Sequence, residues 1–177
     1  MLNRWVGAVR RNHALEHATV TLLLSRIPFT RMIARASQDG FYLWGKVSPE
    51  QLETNVHEAL ARLKSGEGHL AVSPLCGTNL AIGGFMTGAA SMMALGSERG
   101  MSQLPKVATW AMLGLIASQP IGRLAQRHFT TSPDASGMEV VGVRQIRPHM
   151  YKVQTTWNPV PSPAEGPVLS PAEGPAA

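Results

Sequence analysis

The sequence predicts an α+β fold: an N-terminal helix, a small β-sheet and a second helix, followed by a two-helix transmembrane hairpin and C-terminal strands. Residues 2–27 have helical periodicity, and Pro28 ends them. Asp39-Gly40 is a turn signal between two strand-like segments. No Asp, Glu, Lys or Arg occurs in residues 70–97 or in residues 107–122, and such stretches are unusual in a soluble domain.

The composition narrows the class of protein. The chain has 177 residues, which suits one domain with appendages, and only 15% of them are charged. The net charge is +5, but the basic residues flank the apolar stretches and do not cluster with aromatics, so no nucleic-acid partner is expected. Cys76 is the single cysteine, which excludes an intrachain disulfide. Arginines interrupt the N-terminal apolar positions, so a signal peptide is not expected.

Residues 1–74 are predicted to form a cytoplasmic α+β part. Residues 32–37 and 41–47 form the hairpin around the Asp-Gly turn. Ser48 caps the next helix, with a proline at the first helical position and a glutamine that completes a capping box. The apolar stripe of this helix is Leu52, Val56, Ala59 and Leu63. Residues 69–73 are interpreted as a short strand that joins the hairpin.

Residues 75–122 are predicted to form the membrane hairpin. The spans are residues 75–96 and 104–122, long enough to cross a bilayer of about 30 Å. Gly84 and Gly88 have a small-xxx-small spacing, which favours a homo-oligomer through that helix face. The alternative is a pair of buried helices in a soluble core. Basic residues before the first span and after the second place both termini in the cytoplasm, at a bacterial inner (plasma) membrane with the lipid bilayer as partner.

The C-terminal region divides into two parts. Residues 123–157 contain two further strand-like segments, residues 139–143 and 151–155, which are expected to join the N-terminal sheet. Residues 158–177 are Pro-rich and contain the string SPAEGP twice, so they are predicted to be a disordered tail.

The strongest functional signal is the His-x-x-Glu-His string formed by His13, Glu16 and His17. These positions share one face of the predicted helix, because residues three and four apart lie over each other. Two imidazoles and a carboxylate are typical ligands of a divalent transition metal, with zinc the leading choice. The same string in reverse zincins supplies two zinc ligands and a general base.

Further ligands are needed to complete such a site. Cys76 is the best candidate, since it precedes a predicted helix whose dipole favours the thiolate. Glu16 is either another ligand or the catalytic base that takes a proton from metal-bound water. His69 is a possible extra ligand or a partner of one.

Three functions are compatible with this pattern. The leading one is metal-dependent hydrolysis of a membrane-proximal substrate. The first alternative is a non-catalytic membrane scaffold or interaction protein with a structural metal. The second is acyl transfer by a Cys76 nucleophile that a histidine assists.

The His13-Ala-Leu-Glu-His-Ala-Thr19 and Cys76-Gly-Thr-Asn79 strings resemble an uncharacterised bacterial membrane-protein family, one of the domains of unknown function. They are more distantly similar to a family of predicted metal-dependent membrane enzymes, which has a His-x-x-Glu-His string and a later His-Pro-x-Cys-Gly-Thr string. The resemblance implies His13, Glu16, His17 and Cys76 as metal-site residues. Ser73 stands where that pattern has a histidine, so one strong ligand is missing.

Overall fold

The computed structural model describes residues 2–96 and 100–158, with side chains described from residue 4 onward. The N-terminal elements are helix α1 (Leu2–Arg26), strands β1 (Met32–Ser37) and β2 (Gly40–Gly45), and helix α2 (Pro49–Lys64). A 3-10 turn (Gly68–Ala71) leads to helices α3 (Gly77–Leu95) and α4 (Leu104–Ala125), with a 3-10 turn (Met101–Gln103) just before α4. A π-helical segment (Gln126–Thr130) and strands β3 (Met138–Arg147) and β4 (Met150–Trp157) follow.

The four strands form one antiparallel sheet in the order β1-β2-β4-β3. The C-terminal hairpin therefore joins the N-terminal one, with β4 beside β2, as the sequence predicts. Alternation along β2 assigns its two faces, because Phe41 and Leu43 are fully buried while Trp44 is exposed. The buried face packs on α1 and α2, where Leu15 and Leu52 are also fully buried.

Helix α2 confirms its predicted start. The Gln51 amide donates to Ser48 Oγ at 3.1 Å, and the Ser48 amide donates to Gln51 Oε1 at 3.1 Å, which completes the capping box. All four residues of the predicted apolar stripe are buried. The spacing of three to four residues places them on one face, which the sheet covers.

Asn12 fixes the helix that carries the histidines against the sheet. Its side chain is 2% exposed, donates to the Ser37 carbonyl at 2.9 Å and accepts from Thr155 Oγ1 at 2.7 Å. Because Ser37 ends β1 and Thr155 lies in β4, one residue of α1 is bonded to two strands. This sets the rotation of α1 and with it the direction of the adjacent His13.

Helices α3 and α4 pack as an antiparallel hairpin through small residues. A Cβ at Gly114 would lie 2.7 Å from the Met86 carbonyl oxygen, so the two backbones approach too closely for any other residue there. The outer faces carry large apolar side chains, among which Leu80, Phe85 and Met93 are each at least 74% exposed.

The predicted transmembrane hairpin over residues 75–122 is wrong. Among the helices of residues 2–96 and 100–158, none is long and apolar enough to cross a membrane. Residues 70–97 and 107–122 are uncharged, but glycine, threonine and asparagine lower the mean hydropathy of α3. Gln119 and the flanking Lys106 and Arg123 lower that of α4. An uncharged segment is therefore not necessarily apolar enough to span a membrane, because a span needs high hydropathy along its whole length.

Two smaller expectations also change. Residues 69–73 do not form a strand: the Leu70 amide donates to the Glu67 carbonyl and the Val72 amide to the His69 carbonyl, so these backbone groups close a local 3-10 turn. Strand β2 ends at Gly45, earlier than predicted.

Gly84 and Gly88 face open space, since a Cβ at either would meet nothing described within 4 Å, and self-association through them stays a prediction. The predicted tail lies outside the described residues from residue 159 onward.

Candidate metal centre

Three side chains from two distant parts of the chain meet at one point. His13 and His17 lie one turn apart on α1, and Cys76 is the N-cap residue of α3. Cys76 Sγ lies 3.4 Å from His13 Nε2, and the ligand atoms of all three residues lie within 4.8 Å of one another. Atoms bound to one zinc at about 2.0–2.3 Å are about 3.3–3.8 Å apart, so the cluster needs only small side-chain shifts to hold an ion.

Backbone carbonyls orient both imidazoles. His13 Nδ1 lies 2.9 Å from the Thr130 carbonyl oxygen, and His17 Nδ1 lies 2.8 Å from the Ala71 carbonyl oxygen. A carbonyl can only accept, so each Nδ1 donates its proton to the carbonyl, and Nε2 is the ring atom that can bind a metal. A carbonyl partner on the second nitrogen is the usual arrangement of a metal-binding histidine.

His17 provides the clearest sign that a ligand is expected. Its side chain is 4% exposed, and its Nε2 is a buried atom with no hydrogen-bond partner among the residues that the structure describes. A buried polar atom without a partner costs about 1–3 kcal/mol, so such atoms are rare unless something else satisfies them. A metal ion between His17, His13 and Cys76 would satisfy this nitrogen.

Cys76 is held as a strong donor. Burial raises the pKa of its thiol, but the neighbouring imidazoles of His13 and His17 and the Thr78 amide outweigh burial and lower the pKa to about 5. The Thr78 amide donates to Sγ at 3.4 Å, as expected for an N-cap side chain. Burial lowers the pKa of His13, yet its contact with Cys76 and the charge of Glu16 produce a net rise. These two shifts favour a protonated imidazole at His13 beside a thiolate at Cys76.

Glu16 lines the same cleft without belonging to the ligand cluster. Its carboxylate oxygens are not among the atoms that lie within 4.8 Å of one another in the described part of the chain. The side chain is 7% exposed, and Oε2 is buried with no described partner. Burial raises the pKa of Glu16, while the nearby His13 and His17 oppose the rise. This position suits a proton acceptor beside the ion better than a ligand of it.

A buried amide clamp sets the turn before Cys76. Gln126 is fully buried: its Oε1 accepts from the Ser73 amide at 2.9 Å, and its Nε2 donates to the Ser73 carbonyl at 3.0 Å and to Asn79 Oδ1 at 2.8 Å. Asn79 Nδ2 in turn donates to the Ser73 and Pro74 carbonyls, both at 3.1 Å. The sequence analysis missed Gln126, and an uncharged amide at the end of an apolar helix is the signal that could have found it.

Arg10 holds the backbone of the π-helical segment, whose Thr130 carbonyl contacts His13. Its guanidinium donates to the His128 and Thr131 carbonyls, each at 3.0 Å, and the Ser132 amide donates to the Arg10 carbonyl at 3.1 Å. These bonds fasten the π-helical segment to α1 and hold the Thr130 carbonyl against His13. π-Helical turns are frequent at functional sites, because they shift a backbone group by one residue.

The remaining two positions differ from the expectations. Ser73 is buried, and its hydroxyl accepts from the Leu75 amide at 3.2 Å, so this residue shapes the turn where the more distantly similar family has a histidine. His69 is not among the clustered ligand residues and lines a different cavity together with Arg123 and Arg127.

The cluster lies at the wall of a cleft of about 540 Å³ between α1, β1 and the first turn of α3. Glu16, Ser73 and Thr78 also contribute to this wall, and Arg35 is its only arginine or lysine among the lining residues. Most other lining residues are apolar: Val9, Val20, Leu24, Met32, Leu75 and Leu80. The three candidate ligands are all among the residues that line this cleft.

The fold and the cluster define an α+β protein with a candidate two-histidine, one-cysteine metal centre, at the junction of the sheet and the helical hairpin. The chain belongs to the family described as domain of unknown function DUF6391, whose model matches residues 8–143. It is similar to an uncharacterized protein of Picosynechococcus sp., with 34% identity over 138 residues that cover 70% of this chain. The match covers 66% of that relative, so the chain spans slightly less than two thirds of its length. No solved structure matches.

Family membership confirms the coarser part of the resemblance, a domain of unknown function. These matches do not show the membrane character or the metal-dependent chemistry of the similar families. Any activity must therefore be argued from the site.

Proposed function

We propose that the protein is a metal-dependent hydrolase, with His13, His17 and Cys76 as metal ligands and Glu16 as the base. The observation that carries this proposal is the buried Nε2 of His17, which has no hydrogen-bond partner among the described residues and belongs to a ring whose Nδ1 is already bound to a carbonyl. This histidine lies in one cluster with Cys76. Three protein ligands with an open position are typical of catalytic zinc sites, whereas structural sites have four. The three candidate ligands line a cleft, which favours catalysis over a structural role.

The residues divide the chemistry between them. A zinc ion held here would supply Lewis acidity, which polarises a carbonyl and lowers the pKa of water to about 7. Glu16 accepts one proton from the attacking water, whose oxygen forms a bond to the carbonyl carbon. Glu16 then returns that proton to the leaving oxygen or nitrogen as its bond to carbon breaks. One water is consumed, and an acid and an alcohol or amine are released.

The walls of the cleft indicate the substrate class. Aliphatic side chains from α1, β1 and the start of α3 surround the cluster, and Glu16 and Arg35 are the charged side chains that line it. Apolar walls favour apolar groups, at about 25 cal/mol per Å² of surface removed from water. The proposed substrate is therefore an ester or amide whose acyl group is apolar.

Metal analysis tests the centre directly. Purified protein is expected to contain about one transition-metal ion per chain. His13→Ala and His17→Ala should each remove the ion, because each deletes one of three ligands. His57→Ala is the matched control, since His57 is exposed on α2. Protein without stoichiometric metal, before and after incubation with zinc, would contradict the proposal.

A cysteine nucleophile is the second candidate, favoured by the 3.4 Å separation of Cys76 Sγ and His13 Nε2. In that mechanism the thiolate attacks the carbonyl carbon, the leaving group takes the His13 proton, and water then cleaves the thioester. Alkylation by iodoacetamide at neutral pH distinguishes the two. If Cys76 is a metal ligand, it is alkylated only after a chelator has removed the metal. If Cys76 is the nucleophile, it is alkylated without chelator, and the protein keeps its activity in the presence of chelator.

A further inference from the structure

A second cavity, of about 690 Å³, lies at the base of the helical hairpin and is not used by the metal centre. Its lining combines three basic side chains, His69, Arg123 and Arg127, with apolar ones, among them Val72 and Leu124. No Asp or Glu is among its lining residues. The cavity is therefore a basic groove with apolar walls.

The two arginines carry uncompensated charge. Arg123 and Arg127 are four residues apart at the end of α4 and in the π-helical segment, so they project to the same side. Both are exposed, and neither forms a salt bridge or a side-chain hydrogen bond with any residue that the structure describes. Planar guanidinium groups match the oxygens of a phosphate and bind them in a bidentate fashion.

An apolar stripe runs along α4 from these arginines. Leu113, Ile116 and Leu124 are spaced by turns of the helix and are 51%, 61% and 53% exposed. From Leu113 to Leu124 the stripe is about 17 Å long, at 1.5 Å per residue. The two arginines and the apolar stripe lie on one helical face, so this surface is basic at one end and apolar along the rest.

We propose that this groove binds the phosphate of an anionic lipid between Arg123 and Arg127, with the acyl chain along Ile116 and Leu124. Charge complementarity selects an anion, because nothing described in the groove neutralises the two guanidinium groups. The contiguous apolar stripe selects an amphiphile over a free phosphate, which would leave those side chains in water. The inference is independent of the proposed hydrolase, whose residues lie in a different cavity.

Vesicle flotation of the full chain tests the proposal. Binding is compared for vesicles of phosphatidylcholine alone and of phosphatidylcholine with one fifth phosphatidic acid. The double variant Arg123→Gln/Arg127→Gln should bind the acidic vesicles about 10- to 30-fold more weakly, as expected for two basic residues at a lipid surface. Arg144→Gln/Arg147→Gln is the matched control, because it removes the same charge from exposed positions on β3 and should leave binding unchanged.

A second pair of measurements separates lipid from simple phosphate. Ile116→Ser/Leu124→Ser, at exposed positions that tolerate polar residues, should also weaken vesicle binding, and inorganic phosphate in the millimolar range should not compete. Equal losses in both arginine pairs, full competition by inorganic phosphate, or no preference for acidic vesicles would each overturn the proposal. His17→Ala, which removes a metal ligand, should bind vesicles normally, so failure of the metal centre remains distinguishable.

Discussion

At the level of single residues, the candidate metal centre depends on where protons lie on its side chains as well as on how those side chains are placed. His13 and His17 each have Nδ1 bound to a carbonyl, which leaves Nε2 as the metal-binding atom of each ring, and His13 Nε2 lies 3.4 Å from the Cys76 sulfur. The pKa of Cys76, about 5, favours the thiolate, the form that binds metal. Metal binding must displace only the proton that lies between His13 and Cys76.

Glu16→Gln separates binding from catalysis. Glutamine keeps the size of the side chain but cannot accept a proton, so the variant should retain the metal and lose about 10²–10⁴-fold in kcat. The measurement is hydrolysis of p-nitrophenyl esters, together with metal content. Glu53→Gln, at an exposed position of α2, is the control and should behave as wild type. A Glu16→Gln variant with unchanged kcat would exclude Glu16 as the base.

Asp39→Asn tests an ion pair outside the candidate metal centre. Lys152 is 6% exposed, and its Nζ lies 2.7 Å from Asp39 Oδ1 and 2.7 Å from Ser37 Oγ. Removing the anion should lower the free energy of unfolding by about 1–2 kcal/mol, between the values for exposed and buried pairs. Glu67→Gln, which breaks an exposed pair with Arg62, should cost less. Urea titration at neutral pH measures both.

The same pair predicts a pH dependence. The hydrogen bond to Lys152 holds the pKa of Asp39 below its ordinary value, with smaller help from Ser37. A carboxyl with a depressed folded-state pKa stabilises the protein above its unfolded value of about 3.9 and loses that contribution as the pH falls through the folded pKa. The stability difference between wild type and Asp39→Asn should therefore be constant above about pH 5 and shrink below pH 4. A difference that grows at acidic pH would contradict this assignment.

At the level of secondary structure, the contact between α3 and α4 also shapes the site. A Cβ at Gly122 would overlap Asn79 Oδ1, which bonds to Gln126. Gly122→Ala should therefore push Asn79 away, loosen the turn before Cys76 and destabilise the protein by about 1–3 kcal/mol. Weaker zinc binding should accompany the loss. Thermal unfolding and zinc titration are the measurements.

Gly84→Ala is the matched control for this substitution. It introduces the same methyl group in the partner helix, where nothing described lies within 4 Å of the new Cβ. Because alanine is a better helix former than glycine, this variant should gain up to about 1 kcal/mol. Equal effects of the two substitutions would show that the packing at Gly122 has no special role.

At the level of the whole molecule, the candidate metal centre joins two parts of the chain. Two ligands come from α1, which packs on the sheet, and the third comes from the start of α3 in the hairpin. An ion held by both should restrain their separation. Since the unfolded chain brings the three ligands together rarely, metal binding stabilises mainly the folded protein.

Zinc should therefore raise the thermal stability. At a free concentration about 1,000 times the Kd, the stabilisation is about 4 kcal/mol. For a chain of this size that corresponds to a rise in Tm of about 8–16 °C, measured by circular dichroism with and without chelator. The double variant His13→Ala/His17→Ala should show no zinc-dependent shift. A shift that persists in this variant would place the bound metal elsewhere.

Much of the fold was predictable where the signal is local. The cap of α2 at Ser48, the turn at Asp39-Gly40 and the common face of His13, Glu16 and His17 depend on neighbours within one or two turns, and each is present. Residues 69–73 were misassigned because flanking glycines allow several backbone conformations, and only the local 3-10 bonds select one. The transmembrane prediction failed because the lack of charged residues was taken as a sign of high hydropathy.

The amino-acid sequence alone determined the identity and spacing of the possible ligands, since helical periodicity requires only local geometry. Tertiary structure decided that Cys76 meets the two histidines, that the Thr130 and Ala71 carbonyls orient the rings, and that His69 lies beside Arg123 and Arg127 instead. These contacts join residues between 54 and 117 positions apart along the chain. No local pattern encodes such distances, because they follow from how the sheet, the helices and the Gln126 clamp pack together.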